Sequence, residues 1–373
     1  MTNGLTRRQA LKILTAGTAA VGVGALATAA PAGARPGPEI RVLSLNTWHG
    51  GAKITNGADR IVDLIRSTRA SIVLLSEAGD TTAELATRLA AQGLHFEAAT
   101  SSDTGILSAF PIVETGKLDY MVKAVVTVDD LEIAVYAAHL EYRWYATYLP
   151  RGYGGGHPSG EFSEFGWNKL PGGPVTDADT VLRVNAASGR PAVIEAFLAD
   201  AAAEQQKGRQ VLMGGDFNEP SHLDWAADTR DLYDHHGVVV PWQSTRLLEA
   251  AGFVDAYRAT YPSAVTHPGF TWPSDNPNVA VSDLTWAPDA DERDRIDYVF
   301  AGPGTRLRLQ SAGIVGPRET IVRSERVAET SRDNFVASPT PWPTDHKAVL
   351  ATYRCLPASG GFGSLGSLGG SVS

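Results

Sequence analysis

The sequence predicts one α/β domain, and three observations carry that expectation. Short apolar runs of strand type alternate with segments whose apolar residues recur at helical spacing. Neither an internal repeat nor a linker divides the chain. The length, 373 residues at 43% hydrophobic and 20% charged, suits a single domain with a large core.

The first 34 residues stand apart from that domain. Arg7, Arg8 and Lys12 precede an Ala- and Gly-rich apolar stretch over residues 13–30, and Ala32-Gly33-Ala34 supplies a small-x-small cleavage site. Basic, apolar and cleavage regions in that order describe an export signal, and the paired arginines give it a twin-arginine character. Ala10 departs from that pattern, which usually carries Phe there. The alternative is a retained anchor, since about 18 residues is near the lower limit for spanning a bilayer. The small-residue composition favours a cleaved signal, a secreted protein and a mature chain with no membrane span. Losing the three basic residues takes the formal net charge from −9 to about −12, which argues against broad charge-driven binding to nucleic acid or anionic membrane. The single cysteine, Cys355, excludes an intrachain disulfide, so the core alone must stabilise the fold.

From residue 35 the elements read in order. Residues 40–45 form a short apolar strand that enters Asn46. Residues 58–68 have helical spacing at Ile61, Leu64 and Ile65, and residues 72–75 are a second buried strand leading to Glu77. A helix over 81–91 precedes shorter strands at 105–108, 112–118, 121–128 and 131–139. Residues 140–176 are rich in Tyr, Trp, Phe, Gly and Pro and read as a long ordered insertion, a place where function often resides. Residues 179–206 read as one long helix. The apolar run Val211-Leu212-Met213-Gly214 then enters Gly215-Asp216-Phe217-Asn218. Alternation along an extended backbone puts Asp216 and Asn218 on one face, where a carboxylate and an amide can orient a water. A helix over 243–251, a strand over 295–301 and a final strand over 346–353 complete the domain, and the Gly/Ser-rich residues 356–373 read as a flexible tail.

Six segments share one pattern, an apolar strand that ends in or begins at acidic, amide or imidazole groups. They carry Asn46, Glu77, His139, Asp216 with Asn218, Asp297, and Asp345 with His346. A buried strand has no structural need for a carboxylate, and an unpaired one costs several kcal/mol. Each residue also has a plain structural reading. Asn46 and Asp345 suit turns, Glu77 suits a helix N-terminus, His139 suits a core hydrogen bond, and Asp297 suits a pair with Arg293 or Arg295. The ordered set suggests one shared polar site at a sheet edge.

That set resembles the endonuclease/exonuclease/phosphatase superfamily, which includes pancreatic-type deoxyribonucleases, abasic-site nucleases, inositol polyphosphate phosphatases and secreted sphingomyelinases. The matching motifs are LNTW with Asn46, SE with Glu77, AHLE with His139, GGDFN with Asp216 and Asn218, RIDYVF with Asp297, and TDH with Asp345 and His346. Ser76 stands where many relatives have Gln, and Thr344 where Ser is commoner. The resemblance implies a four-layer α-β-β-α sandwich, two packed mixed sheets flanked by helices, over residues 35–355. It also implies metal-dependent hydrolysis of a phosphodiester or phosphomonoester by direct attack of water, with no covalent intermediate.

In that family's terms Glu77 coordinates Mg²⁺, with Mn²⁺ or Ca²⁺ as substitutes, and Asn46 and Asp345 complete its surroundings. Asp216 orients or deprotonates the water and Asn218 holds it or a phosphate oxygen. His139 and His346 flank the phosphate, and Asp297 orients His346. Whether one or two metals act stays open. Tyr142, Arg143, Arg151 and Trp167 in the insertion, and Trp272 beyond it, are candidates for substrate contact, although the aromatics also suit plain packing of the insertion. The acidic charge favours a small phosphoester or a lipid headgroup over long duplex DNA, acted on by a monomer. A nuclease is the alternative within the class. A non-catalytic protein that binds a glycan or headgroup on the same scaffold is the alternative outside it.

Overall fold

The computed structural model of the chain describes residues 37–339 and 341–357. The expected export segment, and the tail from residue 358 onward, lie outside the described residues.

In chain order the elements are β1 (Glu39–Asn46), α1 (Gly57–Thr68), β2 (Ile72–Ser76), α2 (Thr81–Ala91), β3 (Glu97–Thr100), β4 (Gly105–Ser108), β5 (Ile112–Leu118), β6 (Met121–Val128) and β7 (Leu131–His139). After the insertion come α3 (Ala178–Ala186), α4 (Arg190–Gln206), β8 (Gln210–Asp216), α5 (Gln243–Ala250), β9 (Val254–Asp255) and α6 (Ala256–Thr260). The last part holds β10 (Asp297–Ala301), β11 (Leu307–Val315), β12 (Glu319–Val322), β13 (Glu325–Ala328), β14 (Phe335–Val336) and β15 (Ala348–Cys355).

Two sheets result. One has the order β14-β11-β15-β1-β2-β4-β3 and the other β5-β6-β7-β8-β10-β9. Both are mixed, because β1 runs parallel to β2, β11 parallel to β14 and β7 parallel to β8, while the other neighbours are antiparallel. Strand alternation explains the layers. Ile40, Val42, Ile72 and Leu74 of the first sheet meet Val122, Val135, Leu212 and Val299 of the second in a shared core. The opposite faces carry Leu43, Leu45, Val73 and Leu75, covered by Ile61 and Ile65 of α1 and Leu85 and Leu89 of α2. On the other side Tyr136, Met213 and Phe300 meet Ile194 and Phe197 of α4 and Leu248 of α5. The architecture is the four-layer α-β-β-α sandwich.

The structure corrects the helix over 179–206. It is two helices, α3 and α4, separated at residues 187–189. Gly189 takes φ 80°, and Pro191 at the start of α4 has no N–H to donate backward, so one continuous helix cannot form there. The sequence pattern also missed β11. A register shift between Leu309 and Ser311 breaks its alternation, so Leu307 and Leu309 face the core before the bulge and Ala312 and Ile314 after it.

The insertion is ordered by packing. Tyr145, Tyr148 and Tyr153 pack with Trp272, Ala287 and Ile296, while Leu149 and Leu170 join Val181, Trp225 and Trp242.

Candidate active site

Topology brings the polar strand ends together. β7 and β8 are parallel neighbours with His139 in register with Asp216, so both strands end at the same edge. β10 is antiparallel to β8 with Asp297 opposite Asp216, so it begins there. β15 is antiparallel to β1, so Thr344-Asp345-His346 arrives beside Asn46, and the Thr344 hydroxyl donates to the Asn46 carbonyl at 2.9 Å. Ser76 joins the two sheets. Its hydroxyl donates to Ala138 O at 2.9 Å and accepts from the Asp216 N–H at 3.1 Å.

Asp216 is the hub and is 1% exposed. Its Oδ2 accepts from Asn46 Nδ2 at 3.0 Å, and its Oδ1 accepts from the Asn218 backbone N–H at 2.9 Å. The Nε2 atoms of His139 and His346 lie 3.9 and 3.8 Å from Oδ2. Asn46 Nδ2 also donates to Glu77 Oε1 at 3.1 Å. The Trp48 N–H can only donate, so the Asn46 oxygen facing it at 3.0 Å must be the carbonyl. Asn46 therefore turns its N–H toward the carboxylates and links Glu77 to Asp216, rather than offering them a ligand oxygen.

The strand stops at Asp216, and Asn218 takes φ 48° with its Nδ2 donating to Leu140 O at 3.2 Å. The expected shared strand face is thus replaced by a tight turn in which Asp216 binds the Asn218 backbone. A short amide side chain tolerates that conformation.

Each histidine has its own carboxylate. His346 Nδ1 lies 2.9 Å from Asp297 Oδ2, and His139 Nδ1 lies 2.6 Å from Asp103 Oδ2. Burial opposes protonation of both rings, but the acidic partners more than offset it. Asp103, Asp216 and Glu77 raise His139 to about 9, and Asp297, Asp216 and Asp345 raise His346 to about 10. Asp345 is half-buried, and burial together with the Glu77 charge lifts its carboxyl to about 6. Burial raises Asp297 as well, and its Oδ1 has no hydrogen-bond partner.

The donor set fits a divalent cation. Among the described residues no Lys or Arg pairs with Glu77, Asp103, Asp216, Asp297 or Asp345, and hard carboxylate oxygens in excess suit such an ion. Asp216, Asp297 and His346 bring ligand atoms within 4.8 Å of one another and by distance alone can hold a metal. In that trio His346 Nδ1 and Asp297 Oδ2 are paired with each other, which leaves His346 Nε2 and Asp216 Oδ2 facing the space between them. Glu77 is more accessible than Asp216 or Asp297, with its side chain 20% exposed.

Asp103 is a site residue that sequence reasoning missed. It sits in the turn between β3 and β4, and no strand-end pattern marks it.

The substrate candidates separate. Tyr142, mostly exposed, stacks on His139 with centroids 5.9 Å apart and planes 17° apart. Arg143 lies over Tyr142 and pairs with Glu141 at 2.6 Å, which pulls the Glu141 carboxyl down to about 2. Trp272 is buried with its ring 6.5 Å from that of His346. Trp167 packs on Tyr148 and Trp286, in the cluster that joins the insertion to residues 272–296. Arg151 does not face substrate. Its guanidinium is fully buried, paired with Asp294 and stacked on Trp225, because a charge in that position must be neutralised internally.

The fold and this constellation define a class, the metal-dependent phosphoric ester hydrolases. The chain belongs to the Endonuclease/Exonuclease/phosphatase family, whose model matches residues 43–346. It is 26% identical over 327 residues to an uncharacterised protein of Caenorhabditis elegans, across 85% of this chain and 92% of that one. Among solved structures it is similar to Danio rerio TDP2 complexed with a single-strand DNA product, at 13% identity and TM-score 0.47, covering 84% of this chain and 98% of that one. It is also similar to the human Nocturnin catalytic domain with bound sulfate, at 14% identity and TM-score 0.45, covering 86% and 96%.

Proposed function

We propose that this protein is an exported phosphodiesterase that cleaves a small or headgroup-sized phosphodiester by direct attack of water. One observation carries the reading: Asp216 lies between two carboxylate-backed imidazoles, 3.8 and 3.9 Å from their Nε2 atoms. Those spacings are too long for direct hydrogen bonds and suit intervening oxygens of water or phosphate.

Asp216, fixed by Asn46 and by the Asn218 backbone, accepts the proton of the attacking water as its oxygen bonds to phosphorus. The bond from phosphorus to the leaving oxygen breaks, and an imidazolium of His139 or His346 protonates that oxygen. The products are an alcohol and a phosphomonoester. A cation held at Glu77, with Asp345 beside it, would offset negative charge on the phosphoryl oxygens. The acidic net charge supports a small substrate over a long duplex. The paired arginines and small-residue stretch ahead of the domain support export of the folded monomer by a twin-arginine route, which the N-terminus of the secreted protein tests directly.

A second reading, cleavage of a single nucleic-acid strand, rests on the exposed Tyr142 ring, which offers an unpaired base a stacking face beside His139. The TDP2 structure with a DNA product is a precedent in that protein only.

The test is hydrolysis of bis-p-nitrophenyl phosphate with Mg²⁺, Mn²⁺ or Ca²⁺, then with chelator, followed by phosphocholine release, oligonucleotide cleavage and plasmid nicking. Chelator should abolish turnover, and Glu77→Ala and His346→Ala should each lower kcat by about 10²-fold or more. Turnover that survives chelator, or activity retained in both variants, overturns the reading.

A further inference from the structure

The loop after β1 places an imidazole beside Glu77. Trp48, His49, Gly50 and Gly51 take φ values of 49, 59, 66 and 81° in succession, a left-handed stretch that non-glycine residues seldom hold. Such strain persists where the surroundings enforce it. Here the loop grips Glu77 at both ends. The Gly50 N–H and the Thr47 hydroxyl donate to the Glu77 carbonyl at 2.7 and 2.9 Å, and the His49 N–H donates to Oε2 at 3.0 Å.

The consequence is that His49 Nδ1 lies 3.4 Å from the same Oε2, with the His49 side chain 63% exposed. Two ligand atoms each about 2.1 Å from one ion, at an angle of 90–110°, stand about 3.0–3.4 Å apart. The pair is therefore spaced to share an ion, and no other side chain engages the His49 ring among the described residues.

We infer that His49 Nδ1 and Glu77 Oε2 together ligate the cation, so that the site offers mixed nitrogen and oxygen donors and takes Mn²⁺ in preference to Mg²⁺. Imidazole suits first-row transition ions, whereas Mg²⁺ requires oxygen donors and keeps its waters. The inference rests on the phosphoesterase reading, which places the cation at Glu77. The competing account is a simple His49–Glu77 ion pair.

The experiment is calorimetric titration of the purified full chain with Mn²⁺ alone and Mg²⁺ alone, in wild type, His49→Asn, His49→Gly and Glu77→Gln. Pulsed electron paramagnetic resonance of the Mn²⁺-loaded protein accompanies it. Asn and Gly both accept the left-handed backbone, so these variants remove the imidazole with least damage to the loop. Wild type should bind Mn²⁺ about tenfold or more tighter than Mg²⁺ and show imidazole nitrogen coupling. The His49 variants should lose about tenfold in Mn²⁺ affinity and the nitrogen coupling, with Mg²⁺ affinity nearly unchanged. An unchanged Mn²⁺-to-Mg²⁺ ratio, or retained nitrogen coupling, overturns the inference. Glu77→Gln separates the two levels: if it leaves cation binding intact, the siting at Glu77 fails. If it abolishes binding while the His49 variants behave as wild type, only the role of His49 fails.

Discussion

Asp103 and Asp297 do similar work on different imidazoles. Each binds the Nδ1 side of its histidine, which leaves Nε2 toward Asp216. Asp297 is buried and Asp103 is half-exposed, so the His139 pair can be weakened with less damage to the core. Asp103→Asn removes a group that raises the His139 pKa, so that value must fall. In the metal-free protein, imidazole titration by NMR should show His139 moving down from about 9, while the melting temperature shifts little. Turnover should fall about 10–100-fold if the orientation and charge of His139 both matter. An unmoved His139 titration would show that Asp103 does not govern this ring. Of the polar groups the fold brings together, Asn46, Glu77, His139, Asp216, Asn218, Asp297, Asp345 and His346 were legible because each lies at or beside a strand end, where a carboxylate, amide or imidazole contrasts with an apolar run. Asp103 was not legible, since an acid in a Ser-Ser-Asp-Thr turn looks like any surface acid.

At the scale of elements, register converts separate motifs into a site. Three short couplings fix the geometry: β7 beside β8, β8 opposite β10, and Ser76 of β2 reaching across to both β7 and β8. Ser76 is the departure from the commoner Gln, and its short side chain suits a bridge between sheets. Ser76→Ala leaves the buried Asp216 N–H and Ala138 carbonyl without that partner, a cost of about 1–3 kcal/mol. Denaturant unfolding should show this loss, and kcat should fall with it because Asp216 loses a support. Full stability in Ser76→Ala would mean that water replaces the hydroxyl. The same scale explains the broken helix. Apolar spacing over 179–206 is continuous enough to suggest one rod, yet Gly189 and Pro191 end it, and Arg190 between them is buried against Glu219, Asn185 and the Glu141 carbonyl.

For the whole molecule, the insertion binds the second half of the chain through buried groups of unusual protonation. His157 is 2% exposed with neither ring nitrogen partnered, and burial, then the Arg190 charge, hold it down to about 4. His235 stacks on Trp225 and is held down to about 2 by burial and then Arg151. Both are neutral in the folded protein, whereas in the unfolded chain each takes up a proton near its ordinary value of about 6.5. Their contribution to stability is therefore complete above about pH 6.5 and is lost as pH falls, toward 4 for His157 and further for His235. Unfolding free energy should decline between pH 6.5 and 4, and His157→Gln should make that decline shallower. An identical slope in the variant would exclude His157 as a source. Among the described residues no helix is long and apolar enough to cross a membrane.

The sequence by itself determined the alternation of strands and helices and the polar residues at the strand ends, because both are local patterns set by side-chain periodicity and by the cost of burying charge. It also determined family membership, since those residues recur in a fixed order. Only the tertiary structure decided which of these groups meet. Sheet order and register place Asp103 behind His139, turn the Asn46 amide toward two carboxylates, set His49 over Glu77 and bury Arg151 with Asp294. Those relations join residues 28 to 170 positions apart, and no local pattern encodes a partner at that separation.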